Sequence, residues 1–214
     1  NGNFDYYEFW DNSSCVKSKN FELEDFIYEF IGKHIDKFKS RYDYLEKKDK
    51  LGENQDQNLN IDIHQFSTYF LDIMNSQEIS SKNCLLAIYG AYALVLNQDI
   101  NSLKLFFHHI HHHDRLERFL SDFPKSKIIS MTRDPRANIV SGVYNHKKYN
   151  SESMSLAHQL FYLKRILLDS SVLAKYNNIY ISIRLEDLGD KMTLQKISEW
   201  LEVDYFDSMQ ISTW

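Results

Sequence analysis

The chain has 214 residues and a formal net charge of −5 at pH 7, and it is 43% hydrophobic, 14% aromatic and 26% charged. This composition is typical of a packed globular domain, and the acidic balance argues against a nucleic-acid-binding coat. No apolar run reaches the roughly 18 residues of a membrane span, and the six scattered glycines form neither a GxGxxG nor a GxxxxGK[ST] phosphate loop.

In the first half of the chain, the opening stretch NGNFDYYEFWDN is aromatic and has no clear period, which predicts a loop or a short strand. Helices are predicted from Glu22 to about Phe38 and over 62–75 and 79–97, with a polar loop at 49–60. The opening aromatic residues either line an acceptor pocket or close the hydrophobic core, and we favour a core position. They are Phe4, Tyr6, Tyr7, Phe9 and Trp10.

Strands and helices alternate in the second half. The patterns predict strands at 103–110, 127–132 and 178–184, and helices at 112–123, 135–148, about 153–176 and about 190–202. Such alternation indicates a parallel sheet with helices on both faces. The predicted architecture is therefore one α/β domain over residues 1–214, with a helix-rich N-terminal half.

The end of the strand at 127–132 is the most informative stretch. Asp134 is a good helix N-cap and Pro135 suits the first helical position, so a helix is expected to start directly after the strand. Arg133 at the strand end and Ser141 two turns along that helix form a reasonable anion clamp. The alternative is an arginine paired to a neighbouring aspartate and a serine that only packs.

Positive residues also surround this junction, since Arg136, Lys147 and Lys148 are close in sequence. Further along, Glu186 and Asp187 are expected to cap the last helix and to pair with Arg184.

The run ISMTRDPR (129–136), followed by Ser141, resembles the strand–loop–helix of sulfotransferases that bind the 3′-phosphate of 3′-phosphoadenylyl sulfate (PAPS). The segment ISIRLEDL (181–188), followed by a helix ending at Trp200-Leu201, is similar to a second motif of that family. The resemblance covers roughly 103–214. It implies that Arg133 and Ser141 hold the 3′-phosphate, that the fold is the P-loop NTPase-like sulfotransferase fold, and that no metal takes part.

The chain departs from the family in two places. The family's 5′-phosphosulfate loop, of the P-K-S-G-T type, does not occur in the 214 residues, and neither does its C-terminal adenine-side loop. We expect the natural protein to continue at both ends. The alternative is a non-catalytic relative.

Five histidines fall within six residues at 108–113. The family resemblance places a general-base histidine near here, which corresponds to His111 or, failing that, His109. On a strand, His109, His111 and His113 would share one face, so a histidine-rich metal-binding protein is a further alternative.

The sequence therefore predicts a sulfotransferase that moves a sulfuryl group from PAPS to a hydroxyl acceptor, either a small molecule or a glycan. The two alternatives are a non-catalytic nucleotide- or anion-binding module and a metal-binding protein. Cys15 and Cys84 are too few and too isolated for a disulfide framework, so free thiols and a cytoplasmic location are expected.

Overall fold

The computed structural model describes residues 4–40, 42–49, 51–110, 113–148, 160, 164, 174–176 and 178–210. These residues are mostly helical and include a small two-stranded parallel sheet, so the chain has the coarse α/β class that its sequence predicts. The chain divides into two compact units, Asn1–Pro124 and Lys125–Trp214. The prediction of one domain over 1–214 stays a prediction.

Apart from two isolated β-bridges, Asp43 with Lys48 and Leu51 with Gln57, the described secondary structure of the first unit is helical. Short 3-10 helices lie at Ile35–Phe38 and Ile100–Ser102. Its α-helices are α1 (Tyr6–Asn12), α2 (Ser14–Lys17), α3 (Leu23–His34), α4 (Ile63–Met74), α5 (Ser81–Val95) and α6 (His113–Asp122).

Side-chain caps fix where several of these helices begin. The Asp5 carboxylate accepts the backbone N–H of Glu8 at 2.9 Å, and the Asp62 carboxylate accepts two backbone N–H groups at the start of α4. The Ser80 hydroxyl oxygen accepts the backbone N–H of Asn83 at the start of α5. Each cap satisfies amide groups that the helix itself leaves without an acceptor.

For residues 6–12 the prediction of a loop or short strand is wrong, because they form α1. Residues 1–3 lie outside the described residues. Aromatic residues are weak helix formers, but here burial outweighs propensity. Phe4, Tyr6, Tyr7 and Phe9 are all buried, so apolar side chains occupy more than one face of the helix and hide its period.

An aromatic cluster forms the core of the first unit. The fully buried ring of Phe30 lies 5.3 Å from the rings of both Phe4 and Phe9 and 5.9 Å from that of Phe38, measured between centroids. These are ordinary edge-to-face distances. The opening aromatic residues therefore close the core, as the sequence favoured, with Trp10 half-buried at its edge.

Helices α4 and α5 pack closely at Gly90. A Cβ atom built on Gly90 would lie 2.9 Å from Cδ1 of Ile73, so a larger residue requires the Ile73 side chain to move. Cys84, on the buried side of α5, is a free thiol, and so is the half-buried Cys15, as predicted.

The predicted strand at 103–110 is wrong as a strand, since no ladder involving these residues is present in the described chain. The alternation that suggested it is nevertheless real. Phe106 and Ile110 pack against the core cluster, whereas Leu103, Leu105 and Phe107 are exposed.

The second unit contains the sheet. Strand β1 (Ile128–Thr132) pairs in parallel with β2 (Tyr180–Arg184), in a register that runs from Ile128 opposite Tyr180 to Thr132 opposite Arg184. Helix α7 (Pro135–Lys148) follows β1, and α8 (Lys191–Leu201) follows β2 after a 3-10 turn. The helix predicted at about 153–176 falls largely outside the described residues.

Lys127 joins the start of β1 to the end of α8. Its ammonium group donates to the carbonyl oxygen of Trp200 and to the carboxylate of Glu202, and it lies 5.5 Å from the centre of the Trp200 ring. Glu202 ends α8 in the left-handed conformation, with φ of 60°. Among the described helices, none is both long enough and apolar enough to cross a membrane.

Replacing Phe30 by alanine should lower the free energy of unfolding of the first unit by about 3–5 kcal/mol, because it removes a fully buried ring and leaves a cavity. Urea unfolding followed by circular dichroism measures the change. Tyr28→Ala is the matched control, since Tyr28 lies on the same helix with an exposed side chain. Equal losses in the two variants would contradict the position given to Phe30.

Candidate functional site

Asp134 caps helix α7, as the sequence predicts. Its carboxylate accepts the backbone N–H of Arg136 at 2.8 Å, and the same carboxylate accepts two hydrogen bonds from the Arg136 guanidinium, at 2.7 and 3.1 Å. These bonds hold the pKa of Asp134 well below its usual range. Pro135 is the first residue of the helix, where its missing N–H costs nothing.

The arginine that pairs with the neighbouring aspartate is therefore Arg136 and not Arg133. Arg133 is exposed directly after β1, and within the described chain its side chain makes no hydrogen bond or ion pair. Its guanidinium is free to bind an anion at the carboxyl end of a parallel strand, the usual ligand position in α/β folds.

Ser141 is half-buried on α7, and its hydroxyl has no hydrogen-bond partner among the described residues. It is the seventh residue of the helix that Pro135 begins, which places it about 9 Å along the axis from the first residue. Arg133 and Ser141 thus belong to one strand–helix junction, at the start and in the second turn of the helix. No direct contact joins them in the described structure.

Glu186 connects this junction to the end of β2. One carboxylate oxygen accepts the backbone N–H of Asp134 at 3.0 Å, and the other lies 3.7 Å from Nε of Arg184. The Asp134 N–H is the main cause of the lowered pKa of Glu186, and the positive charges of Arg184 and Arg133 lower it further. The expected pairing of Glu186 with Arg184 is confirmed.

The expected capping of the last helix by Glu186 and Asp187 is wrong. The cap is Asp190, whose carboxylate accepts the backbone N–H of Thr193 at 2.9 Å. Sequence reasoning did not find the bond between Glu186 and Asp134, because it joins residues 52 positions apart. The only indication in the sequence was the acidic pair Glu186-Asp187 shortly after the predicted strand. Such a pair is compatible with a bond between neighbouring strand ends as well as with a helix cap.

A cavity of about 780 Å³ lies between β2 and α8. Apolar side chains of Ile181, Ile183 and Ile197 line it together with Trp200, and Arg184 and Lys196 are among its charged residues. The buried indole N–H of Trp200 has no acceptor within the described residues. No sequence pattern indicated this cavity.

The predicted general base, His111, lies outside the described residues. His109 is exposed and belongs to the first unit. The shared strand face proposed for His109, His111 and His113 depended on a strand that the described residues up to 110 do not form, and α6 begins at His113. Among the described residues, no three His, Cys, Asp or Glu side chains are grouped closely enough to hold a metal ion.

His108 is half-buried and packs against aromatic residues of the core. Its ring stacks on that of Phe119 with a centroid distance of 5.6 Å, and its Nδ1 lies 3.1 Å from the Tyr89 hydroxyl. That hydroxyl donates to the carbonyl oxygen of Phe107, so the contact is satisfied when Nδ1 carries the ring proton. Burial is the main cause that lowers the pKa of His108 to about 4; Asp5 opposes this shift and nearby His109 adds to it.

Comparison of the chain with family models, with curated proteins and with solved structures gives no match. The junction between β1 and α7 is therefore the part of the chain whose chemistry and motifs bear on its function.

The half-buried, neutral His108 should make the first unit less stable as the pH falls. Below the ordinary histidine pKa of about 6.5, the unfolded chain binds a proton that the folded chain does not take up until about pH 4. We expect His108→Phe to remove up to about 3 kcal/mol of the loss in unfolding free energy between these pH values, at about 1.4 kcal/mol per pKa unit.

Urea unfolding at pH 7, 5.5 and 4 measures this effect. The control is His64→Gln, which replaces an exposed histidine on α4. If His108→Phe and the wild-type chain lose stability in parallel over this range, the assignment of His108 as a half-buried neutral group is wrong.

Proposed function

We propose that the chain binds PAPS and transfers its sulfuryl group to a hydroxyl acceptor. The observation that carries this proposal is the division of roles between two arginines. Arg136 is held by Asp134 in two side-chain hydrogen bonds, while Arg133 is exposed at the end of β1. A free guanidinium at this position suits a phosphate, which it can bind through two parallel hydrogen bonds.

Ser141 supplies the second proposed contact. A hydroxyl on the second turn of α7 has a donor to offer the same phosphate, and it has no partner among the described residues. Arg133 and Ser141 together would recognise the 3′-phosphate that distinguishes PAPS from ATP. The proposed fold is accordingly the P-loop NTPase-like sulfotransferase fold, with β1–α7 and β2–α8 as two of its strand–helix units.

The proposed chemistry needs a base and a stabilised leaving group. His111, or failing that His109, takes the proton of the acceptor hydroxyl as its oxygen bonds to sulfur and the bond from sulfur to the 5′-phosphate oxygen breaks. Arg133 and Ser141 stay on the nucleotide product, 3′-phosphoadenosine 5′-phosphate (PAP), and keep it aligned for in-line transfer. The proposed acceptor is a small molecule or a glycan, and the free cysteines fit a reducing, cytoplasmic location.

A second candidate function is nucleotide binding without transfer. It is favoured by the sequence itself, because no Lys-Ser-Gly segment of the kind that holds the sulfuryl group occurs in these 214 residues. Binding of PAP without release of PAP from PAPS, measured with a panel of phenols, alcohols and glycans, would identify this second function.

Arg133→Ala should weaken PAP binding by about 1.5–3 kcal/mol, the range for hydrogen bonds to charged groups. Isothermal titration calorimetry at fixed ionic strength measures the affinity. Arg136→Ala is the matched control, since it removes the same charge from a side chain already held by Asp134. An unchanged affinity in Arg133→Ala would overturn the assignment of the phosphate site.

His111→Ala should lower the rate of PAP release from PAPS by about 10²–10⁴-fold, the usual contribution of a general base, and leave PAP affinity unchanged. His109→Ala serves as the comparison, because it removes an imidazole from the same cluster. If only the His109 variant loses activity, His109 is the base. If neither does, the base is not in this cluster.

A further inference from the structure

Arg184 lies at the same edge of the sheet as Arg133. It is the last residue of β2 and the register partner of Thr132, the last residue of β1. Neighbouring strands are about 4.8 Å apart, so the backbone of Arg184 lies beside the strand end that Arg133 follows. The Arg184 side chain is 64% exposed.

Glu186 pairs with Arg184 and accepts the backbone N–H of Asp134, the residue that follows Arg133. Its nearest approach to Arg184 is 3.7 Å, longer than the 2.7–2.9 Å of a charge-assisted hydrogen bond, so this is an ion pair without a hydrogen bond. In the described part of the chain the Arg184 guanidinium has no other polar partner, and its planar fork therefore remains available. Arg133 is also close enough to act on the charge of Glu186.

We propose that Arg184 is a second cationic residue of the anion site, and that Glu186 is the internal carboxylate which a bound phosphate displaces from the Asp134 N–H. The identity of the phosphate as the 3′-phosphate of PAPS rests on the proposed function. The positive charges of Arg133 and Arg184 would attract any phosphate that reaches this edge of the sheet.

The charges of the neighbouring side chains favour replacement of the Glu186 carboxylate by a bound phosphate. Asp134 and Arg136 neutralise each other, which leaves Arg133, Arg184 and Glu186 with a net charge of +1. Two guanidinium groups match a phosphate dianion, and the backbone N–H of Asp134 suits a phosphate oxygen as well as a carboxylate oxygen. Glu186 repels the incoming anion and occupies its N–H donor, so it is a competitor for the site.

A purely structural role for Glu186 makes the opposite prediction. If its bond to Asp134 served only to hold the end of β2 against the start of α7, removing the carboxylate would loosen the site and weaken anion binding. The amide variant Glu186→Gln separates the two roles, because it keeps an oxygen that can accept the Asp134 N–H but removes the negative charge.

The experiment is a calorimetric titration of the full chain with PAP and, in parallel, with inorganic phosphate. We expect Arg184→Gln to weaken PAP binding about tenfold or more, since it removes a charged hydrogen-bond donor. Arg136→Gln, with the same charge change at the same edge, should weaken binding by only about threefold, because its charge acts through water. Glu186→Gln should tighten PAP binding by about threefold or more.

The outcomes separate this inference from the proposed function. Equal losses in Arg184→Gln and Arg136→Gln, or weaker binding in Glu186→Gln, would overturn the inference even if the wild-type chain binds PAP. If phosphate binds and depends on Arg184 but PAP binds no more tightly than phosphate, the inference stands and the proposed function fails. Binding of neither ligand overturns both. Circular dichroism of each variant checks that it is folded.

Discussion

The carboxylate of Asp134 decides the chemistry of the second unit. It accepts the first free amide hydrogen of α7 and also binds the Arg136 guanidinium, so one side chain both starts the helix and neutralises one of two neighbouring arginines. Arg133 is left exposed as a consequence. Because the Asp134 amide is in turn bound by Glu186, the same residue connects the ends of β1 and β2.

The first unit is stabilised in a different way. Its helices begin at side-chain caps, and its interior is built from aromatic rings in edge-to-face and tilted contact. Polar side chains at the edge of this interior also join the helices. The Asp122 carboxylate, for example, accepts hydrogen bonds from the hydroxyl groups of Tyr7 and Ser81, which joins α1, α5 and α6. Packing of aromatic side chains in the core explains why the aromatic segment at residues 6–12 is helical although aromatic residues have only modest helix propensity.

Much of the fold was predictable from the sequence. Helices α3 to α8 and strands β1 and β2 lie close to the positions predicted from hydrophobic periodicity, helix-cap residues and the sequence Arg133-Asp134-Pro135. These elements were predictable because amphipathic segments and cap residues are local signals in the sequence. Helix α1 was not predictable, since burial on several sides hides its period. The sequence alone did not decide which arginine pairs with Asp134, because Arg133 and Arg136 are both close to it in the chain. The bond from Glu186 to Asp134 depends on strand register, which only the folded chain sets.

The extended segment at 103–107 has a consequence for handling the protein. Leu103, Leu105 and Phe107 are exposed on one side of a backbone that, within the described residues, belongs to no sheet. Apart from the Leu103 N–H and the Phe107 carbonyl, its backbone groups make no hydrogen bond within the described residues, so they can add to a strand of suitable length without breaking an existing ladder. Because the segment also carries exposed apolar and aromatic side chains, we expect self-association of the protein at high concentration to begin there. A charged substitution at Leu105 should therefore improve solubility.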